Sequence, residues 1–400
     1  MSSPLKKIPA TQVVPGMYVR KIDGSWLDHP FWRGSFVVEP GETLVTLRAL
    51  GQQGVWIDTS KGVDLPVATP QPATAPVLAA PAEAPVPSPP RSVFGDDYAA
   101  AEAIRERAKG VAKSLFGEAR MGKALSMDAA AEVVDEINEV IARNPAAMLS
   151  VVRLKNKDDY TYLHSVAVAA LMIALGRRLG YQGEALKELG VAGLLHDIGK
   201  VGISDAVLNK PGRLNPLELA TVRQHPQIGW DILSRESAAG PMALQVCLHH
   251  HERTDGTGYP GRLSGDALSE VARMGAICDV YDAITSERSY KAGWEPADAI
   301  RRMAEWQDGH FDRRIFHVFV KLIGIYPTGT LVRLASQRLA VVLVQGNGSA
   351  LNPIVRLICT LPDCAPLEPE TLDLEGSDDR ILTIEDPADW DLDIPALLRA

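Results

Sequence analysis

Histidine and aspartate side chains that could bind metal ions recur through the middle of the chain. The candidate ligands are the imidazole and carboxylate groups of His164, His196, Asp197, His225, His250, His251 and Asp279. His196 and Asp197 directly follow the apolar run 191–195, so both groups are expected at the buried end of a helix. Facing side chains on successive helices of a bundle are a common way to build a metal site.

Imidazole and carboxylate ligands without a thiolate suit Fe, Mn, Zn or Ni rather than a thiolate-rich structural zinc site. A carboxylate such as Asp197 has two oxygens and can bridge two cations about 3.5–4 Å apart, which share a hydroxide. The pKa of the bound water falls toward about 7, which gives a nucleophile for a phosphodiester. Lys200, one turn later, is placed to contact a phosphate oxygen. The residues alone therefore predict metal-assisted phosphodiester hydrolysis.

Each of these residues also has a purely structural interpretation. His164 alone could be a hydrogen-bonded core histidine. The run His249–His251 could be a helix end with imidazoles near the last carbonyls, and Asp279 could pair with Arg273 or Arg288. The metal-site interpretation gains weight only when all the residues are taken together.

A loop rich in turn residues follows the histidines directly. Residues 252–261 read ERTDGTGYPG, in which the glycines and proline allow tight turns and Tyr259 offers an aromatic face. Taken alone, this pattern is typical of a surface loop. Beside the histidines it favours an active-site loop that contacts substrate or a partner.

The elements that must position these groups are helices. Between residues 92 and 325 the apolar spacing is helical and no alternating strand pattern occurs, which predicts a mainly α, all-helical bundle. The predicted helices span residues 97–119, 126–143, 159–179, 183–196, 215–224, 242–251, 269–285, 296–306 and 312–326. Ser126 and Asn215 are the expected N-caps, and Gly180 is the expected C-cap.

The remaining segments have different compositions. Residues 1–65 carry short β-prone runs at 12–14, 17–21, 36–38 and 55–58, with one short helix at 42–50, and predict a small β-rich domain. Residues 66–92 are a linker, with nine prolines among positions 66–90. We expect a helical connector at 93–133, the catalytic domain at 134–327, and short strands with an acidic tail at 328–400.

The net charge of −9 belongs to the tail. Residues 361–400 carry twelve acidic and two basic side chains, a charge of −10, so the rest of the chain is close to neutral at +1. An anionic substrate is therefore not excluded. The composition of residues 361–400 is compatible with two alternatives, a tail that is partly ordered and a tail that is disordered.

Nothing in the composition suggests an exported or membrane protein. The first residues lack the apolar core of a secretory signal and no run of about 18 apolar residues occurs, which favours a cytoplasmic protein with no membrane partner. The four cysteines are widely spaced without a C-x-x-C pair, so we expect neither a disulfide framework nor a zinc ribbon.

Two motifs in order resemble the HD-GYP domain of the HD hydrolase superfamily. They are HDIGK at residues 196–200 and HHERTDGTGYP at 250–260, and the resemblance covers about residues 134–327. Residues 1–65, with GMYV at 16–19 and SWLDHPF at 25–31, resemble the poorly characterised domain that often precedes it.

The resemblance implies roles for individual residues. It places His164, His196, Asp197 and Asp279 on one metal, with Asp197 bridging to a second metal completed by His225, His250 and His251. Lys200, Arg288 and Lys291 would contact the substrate phosphates, and the loop residues Gly258, Tyr259 and Pro260 would contact substrate or partner. Family members that bind a third metal carry a Glu where this chain has Tyr160, so we predict two metals, Fe or Mn before Zn or Ni.

The function that the resemblance implies is hydrolysis of cyclic di-GMP to pGpG, GMP or both, by a metal-bridging hydroxide. Hydrolysis of another cyclic dinucleotide, such as a cyclic GMP-AMP, is the first alternative. A weakly active receptor or scaffold that docks diguanylate cyclase (GGDEF) domains through the 258–260 loop is the second. No nucleic-acid partner is expected, and the sequence does not distinguish a monomer from a dimer.

Overall fold

The computed structural model describes residues 5–22, 36–38, 44, 47–48, 54–63, 91–153, 160–210, 212–236, 238–286, 293–346, 349, 351–367, 370–386, 389–390 and 392–399. The chain divides into two compact units, residues 1–88 and 89–400. Residues 66–90 of the predicted linker and the SWLDHPF segment lie outside the described residues, as does most of the helix expected at 42–50. The last two residues of the predicted linker, 91 and 92, instead begin a helix.

The first unit contains a four-stranded antiparallel sheet, as the β-prone runs predict. Its strands are β1 (Leu5–Pro9), β2 (Tyr18–Ile22), β3 (Phe36–Val37) and β4 (Gly54–Asp58), in the order β1-β4-β2-β3. Alternate residues of these strands, among them Ile8, Val19 and Ile57, are buried in one core with Met17. The run expected at 12–14 is not a strand, because the first strand lies earlier and ends in a 3-10 turn at Ala10–Gln12.

The second unit begins with five helices that form the core of the bundle. They are α1 (Arg91–Arg120), α2 (Met127–Arg143), α3 (Pro145–Arg153), α4 (Tyr160–Arg178) and α5 (Glu184–Leu195). Every residue of α4 from Leu163 to Gly176 is buried, so α4 is covered on all sides by its neighbours. Gly180 ends the α4 segment with a positive φ of 93°, as expected of a C-cap.

The chain then makes a 3-10 turn at Ile198–Gly202 and continues through shorter helices. These are α6 (Asp205–Leu208), α7 (Pro216–Val222), α8 (His225–Leu233), α9 (Gly240–His249), α10 (Glu270–Thr285), α11 (Pro296–His310) and α12 (Arg313–Ile323). Asn215 forms the predicted capping box with Glu218. The helices α6 and α8 were not predicted, because four residues show no periodicity and Pro226 and Gly229 interrupt the pattern of α8.

The mainly α fold class, with β structure at both ends, is therefore confirmed. The C-terminal strands are β5 (Leu331–Leu334), β6 (Arg338–Val344), β7 (Ile354–Thr360), β8 (Ala365–Pro366), β9 (Thr371–Asp373) and β10 (Ile381–Glu385), followed by α13 (Ile394–Arg399). The sheet order is β10-β5-β6-β7-β8, with β9 paired to β7.

The acidic tail is ordered where the structure describes it. It supplies β10, which pairs with β5, and its apolar residues Trp390, Leu392 and Ile394 pack on a buried cluster that includes Leu331. The expectation of no disulfide is wrong, because Cys359 and Cys364 are bonded across the turn between β7 and β8. Among the helices described, none has both the length and the apolar composition needed to cross a lipid bilayer.

Candidate metal centre

The seven candidate ligands come together from five separate parts of the bundle. His164 comes from α4, His196 and Asp197 end α5, His225 begins α8, His250 and His251 follow α9, and Asp279 lies in α10. All are buried except His251, whose side chain is 26% exposed. His251 therefore marks the side on which the cluster meets solvent.

One group of ligands surrounds the Oδ2 atom of Asp197. His196 Nε2 lies 3.3 Å and His164 Nε2 lies 3.6 Å from this oxygen. Asp279 Oδ1 lies 3.0 Å from His164 Nε2 and 3.8 Å from His196 Nε2. Two imidazoles and two carboxylates therefore point into one small volume, as a metal site requires.

A second group of ligands surrounds the other oxygen of Asp197. His225 Nε2 lies 3.3 Å and His250 Nε2 lies 3.8 Å from Asp197 Oδ1. The imidazole of His251 completes this group, with its ring centroid 4.1 Å from that of His250. The two oxygens of Asp197 thus face two different sets of histidines.

Backbone carbonyls fix the orientation of the buried imidazoles. The Nδ1 atoms of His196 and His225 lie 2.8 and 2.7 Å from the carbonyls of Gly193 and Val222. A carbonyl only accepts hydrogen bonds, so each Nδ1 donates its proton and each Nε2 keeps a lone pair for a metal. His250 Nδ1 likewise lies 3.0 Å from carbonyl oxygens in α9.

The same tautomers leave polar atoms that need a cation. His225 Nε2 and His250 Nε2 lie 3.2 Å apart, and two lone pairs at that distance repel unless a proton or cation lies between them. Within the described residues, His196 Nε2 and Asp197 Oδ1 are buried without any hydrogen-bond partner. Because buried polar atoms are rarely left unpaired, this donor set fits divalent metal ions.

Burial sets the charge of the second group. Burial lowers the pKa of His225 to about 4 and that of His251 to about 3, although the charges of Asp197 and Asp279 oppose the shift. It also lowers the pKa of His250 well below the usual value. These imidazoles are therefore neutral at pH 7, which is the form that binds a metal.

The first group instead favours positive charge. Burial lowers the pKa of His196, but the carboxylates of Asp197 and Asp279 outweigh it and raise that pKa to about 10. Burial raises the pKa of Asp197, and Lys200 and His196 together hold it well below its usual value. The carboxylate stays ionised, and a cation can supply the charge that a proton otherwise brings to His196.

Asp282, one turn after Asp279 on α10, orients the remaining imidazole. Its Oδ2 lies 2.6 Å from His164 Nδ1, and both side chains are buried. A carboxylate that accepts the Nδ1 proton leaves Nε2 of His164 directed at Asp279 and Asp197. This role was not predicted from the sequence, although the i, i+3 spacing from Asp279 places both carboxylates on one helix face.

We expect Asp282→Asn to weaken metal binding by about 10- to 100-fold, because an amide holds His164 less firmly in the required tautomer. The measurement is competition for Mn²⁺ against a fluorescent chelator. Asp298→Asn, at an exposed site on α11 that pairs with Arg301, is the matched control and should not change the affinity. Equal affinities for the two variants would contradict the positioning role.

Gly199 lets the turn after the HD pair pass close to α8. A Cβ at this position would lie 1.9 Å from the carbonyl oxygen of His225 and 2.4 Å from the amide nitrogen of Gly229. Both are backbone atoms that cannot rotate away. The glycine of HDIGK is therefore required by the approach of the backbone that carries His225.

We expect Gly199→Ala to destabilise the second unit (residues 89–400) by about 1–3 kcal/mol, because the added methyl group must displace the backbone at His225. The urea concentration at the midpoint of unfolding and the amount of bound metal should both be lower than in wild type. Gly110→Ala in α1 adds the same methyl group into open space and should stabilise by about 0.5–1 kcal/mol. A Gly199→Ala protein as stable as wild type would show that this contact is not limiting.

The loop after the histidines is closed by hydrogen bonds to Glu252 and packs on the site through Tyr259. The buried carboxylate of Glu252 accepts hydrogen bonds from the amides of Gly261 (2.5 Å) and Leu263 (3.2 Å). The Tyr259 ring stacks on His251 with centroids 4.7 Å apart. A Cβ at Gly258 would lie 2.5 Å from backbone atoms of Glu252 and Arg253, so this position also requires glycine.

The residues predicted to contact substrate differ in how close the structure places them to the metal ligands. Lys200 lies at the site, with its ammonium group in contact with Asp197 Oδ2. Gly258 is buried and Pro260 exposed on the loop. Arg288 and Lys291 lie outside the described residues, so their phosphate contacts stay a prediction. Tyr160 stacks on His164 with centroids 5.7 Å apart, which places a phenol beside the first group.

Two structural alternatives for the ligands fail on geometry, the isolated core histidine at His164 and the pairing of Asp279 with Arg273. Arg273, a possible partner of Asp279, instead pairs with Asp312 at 2.8 Å. Asp279 points to His164, and His164 itself is no isolated core histidine because its Nε2 faces two carboxylates.

The helix-end interpretation of the run 249–251 holds in part, because His250 Nδ1 donates to carbonyls of α9 while its Nε2 lies 3.8 Å from Asp197 Oδ1. Arg288, the other possible partner of Asp279, lies outside the described residues.

Comparisons with known proteins agree with this architecture. Residues 137–315 match the HD domain family, and residues 5–130 match a domain of unknown function (DUF3391). The second match extends beyond the 1–65 domain of the sequence analysis and includes α1.

The chain is similar over nearly its whole length to a curated bacterial protein. It is 49% identical over 390 residues to cyclic di-GMP phosphodiesterase PA4108 of Pseudomonas aeruginosa, covering 96% of this chain and 93% of that protein. It is 34% identical to the cyclic di-GMP phosphodiesterase response regulator RpfG of Xanthomonas campestris, over 48% of this chain and 51% of that one. The 3'3'-cGAMP-specific phosphodiesterase 2 of Vibrio cholerae is 37% identical over 32% of this chain and 24% of its own.

Proposed function

The chain belongs to the HD-GYP family of cyclic di-GMP phosphodiesterases, in the HD hydrolase superfamily, and we propose that it hydrolyses cyclic di-GMP at a two-metal centre bridged by Asp197. The observation that carries the proposal is that the two oxygens of Asp197 face separate histidine groups, His164 with His196 and His225 with His250. A carboxylate whose two oxygens face separate ligand groups is well placed to bridge two metal ions.

The residues would divide into two ligand sets. His164, His196 and Asp279 would hold one metal, His225, His250 and His251 the other, and Asp197 both. When bound, the cations supply a water nucleophile at neutral pH and neutralise phosphate charge. The set of nitrogen and oxygen donors favours Fe or Mn, with Zn or Ni as the next candidates.

The remaining groups would act on the substrate. Lys200 carries its ammonium group beside Asp197 and is partly exposed, so it can donate to a phosphate oxygen that reaches the centre. Tyr259, stacked on the partly exposed His251, would cover one side of the entrance and restrict water access. Glu252 would hold the loop in this position through its two backbone contacts.

Product analysis tests the proposal. Purified protein is incubated with cyclic di-GMP in the presence of Mn²⁺ and, anaerobically, Fe²⁺, and the products are separated by chromatography. We expect cyclic di-GMP to disappear with at least one of these metals, with linear pGpG, GMP or both as products. No hydrolysis with either metal would contradict the proposal.

Hydrolysis of a cyclic GMP-AMP is the second candidate, because several similar proteins are named 3'3'-cGAMP-specific phosphodiesterases. Those similarities cover 32–44% of this chain, against 96% for the cyclic di-GMP relative. Competition between the two substrates in one reaction distinguishes these candidates. A higher kcat/KM for cyclic GMP-AMP than for cyclic di-GMP would make cyclic GMP-AMP the preferred substrate.

A docking role for the loop is compatible with catalysis. Pro260 of this loop is exposed and therefore accessible to a partner, and a diguanylate cyclase (GGDEF) domain stays our predicted partner. A pull-down with Pro260→Ala as the comparison tests this interaction separately from hydrolysis.

A further inference from the structure

An arginine outside the recognised motifs lies at the entrance of the metal centre. Arg223 follows α7, and its guanidinium carbon lies 5.1 Å from the centre of the Tyr259 ring. Tyr259 in turn stacks on His251. Arg223, Tyr259 and His251 thus form three successive layers that lead from solvent to the ligand cluster.

The backbone holds Arg223 in this place from both sides. Its amide donates to the carbonyl of Leu219 at 3.0 Å as the C-cap of α7. The preceding residue, Val222, accepts the Nδ1 proton of His225 at 2.7 Å. The position of Arg223 is therefore coupled to that of a ligand two residues later in the chain.

The charge of Arg223 is available to a ligand. Some arginines of the unit are neutralised by carboxylates, such as Arg273 by Asp312 and Arg314 by Glu270. Arg223 is exposed, and within the described part of the chain it forms no ion pair with a carboxylate. An exposed guanidinium held over an aromatic ring keeps its N–H edges free for an anion.

A cyclic dinucleotide presents two phosphodiesters on one ring, and only one of them can occupy the ligand cluster during cleavage. We propose that Arg223 binds the second phosphodiester, the one that is not being cleaved. This inference rests on the proposed function, because it needs a substrate with two phosphodiesters. Arg223 would be a substrate-binding residue specific to dinucleotides, with no part in cleaving a single diester.

A purely structural role makes a different prediction. If the guanidinium only clamps Tyr259 and the loop, its loss should slow the cleavage of every diester equally. If it binds the second phosphodiester, a substrate with one phosphodiester should not be affected. Bis(p-nitrophenyl) phosphate has one phosphodiester and is therefore the discriminating probe.

The experiment compares wild type, Arg223→Met and the control Arg178→Met, all metal-loaded. Arg178 is exposed in the last turn of α4, fourteen residues or about 21 Å along the helix from His164, and its replacement changes the net charge equally. We expect Arg223→Met to lower kcat/KM for cyclic di-GMP by about 10- to 100-fold, mainly through KM. Its hydrolysis of bis(p-nitrophenyl) phosphate and both activities of Arg178→Met should match wild type.

The outcomes separate this inference from the proposed function. Wild-type kinetics in Arg223→Met, or an equal loss on both substrates, would overturn the role of Arg223. A wild-type protein that does not cleave cyclic di-GMP would contradict the proposed function. Equilibrium dialysis with cyclic di-GMP would then decide the inference: weaker binding by Arg223→Met supports it, and equal binding overturns it.

Discussion

Asp197→Asn is expected to reduce the hydrolysis of cyclic di-GMP by at least about 1,000-fold while the helical circular dichroism stays close to that of wild type. Asparagine has nearly the same shape as aspartate, so the buried position is still filled. It has only one oxygen acceptor and no charge. It therefore cannot bind a metal ion in each of the two histidine groups as the two oxygens of Asp197 would. The loss should therefore appear in kcat.

Asp128→Asn is the matched control for this variant. Asp128 is exposed in the first turn of α2, distant in sequence from every candidate ligand, and its replacement should leave kcat and KM unchanged. An Asp197→Asn protein with a substantial fraction of wild-type kcat would refute the bridging role.

Removal of the metals is expected to abolish activity and to lower the melting temperature of the second unit (residues 89–400). Without cations the lone pairs of His225 and His250 face each other and buried atoms of His196 and Asp197 stay unpaired. Binding at a thousand times the dissociation constant adds about 4 kcal/mol to the stability. Dialysis against a chelator followed by calorimetry and activity assays measures both effects.

Restoration of the dialysed protein provides the control. Mn²⁺ or anaerobic Fe²⁺ should restore both melting temperature and activity, whereas the same concentration of Ca²⁺ should restore neither, because Ca²⁺ prefers oxygen ligands. A chelator-treated protein that keeps full activity after verified loss of metal would contradict a metal-dependent mechanism.

Local signals in the sequence were sufficient to predict most of the bundle. The helix expected at 269–285 is found at Glu270–Thr285, and Ser269 accepts a hydrogen bond from the amide of Ala272 at 3.3 Å as its N-cap. Ser126 also stands at the N-cap position, but its hydroxyl bonds to Glu118 instead. The resemblance to an HD-GYP domain and its preceding domain is confirmed by the family matches and by the full-length relative.

The parts that could not be predicted depend on contacts distant in sequence. The order of the acidic tail comes from the pairing of β10 with β5, some fifty residues earlier, which overrides its unfavourable composition. Asp282 and Arg223 acquire their roles from His164 and Tyr259, which lie on other elements. Periodicity reports which face of a helix is buried and does not identify the residues that face it.

The bridging role of Asp197 is tested most directly by anomalous X-ray diffraction from crystals of the protein grown with Mn²⁺. We predict two anomalous peaks about 3.5–4 Å apart. One peak should lie against His164, His196 and Asp279, and the other against the second histidine group, with one oxygen of Asp197 on each. A single peak, or two peaks that Asp197 does not join, would contradict the account.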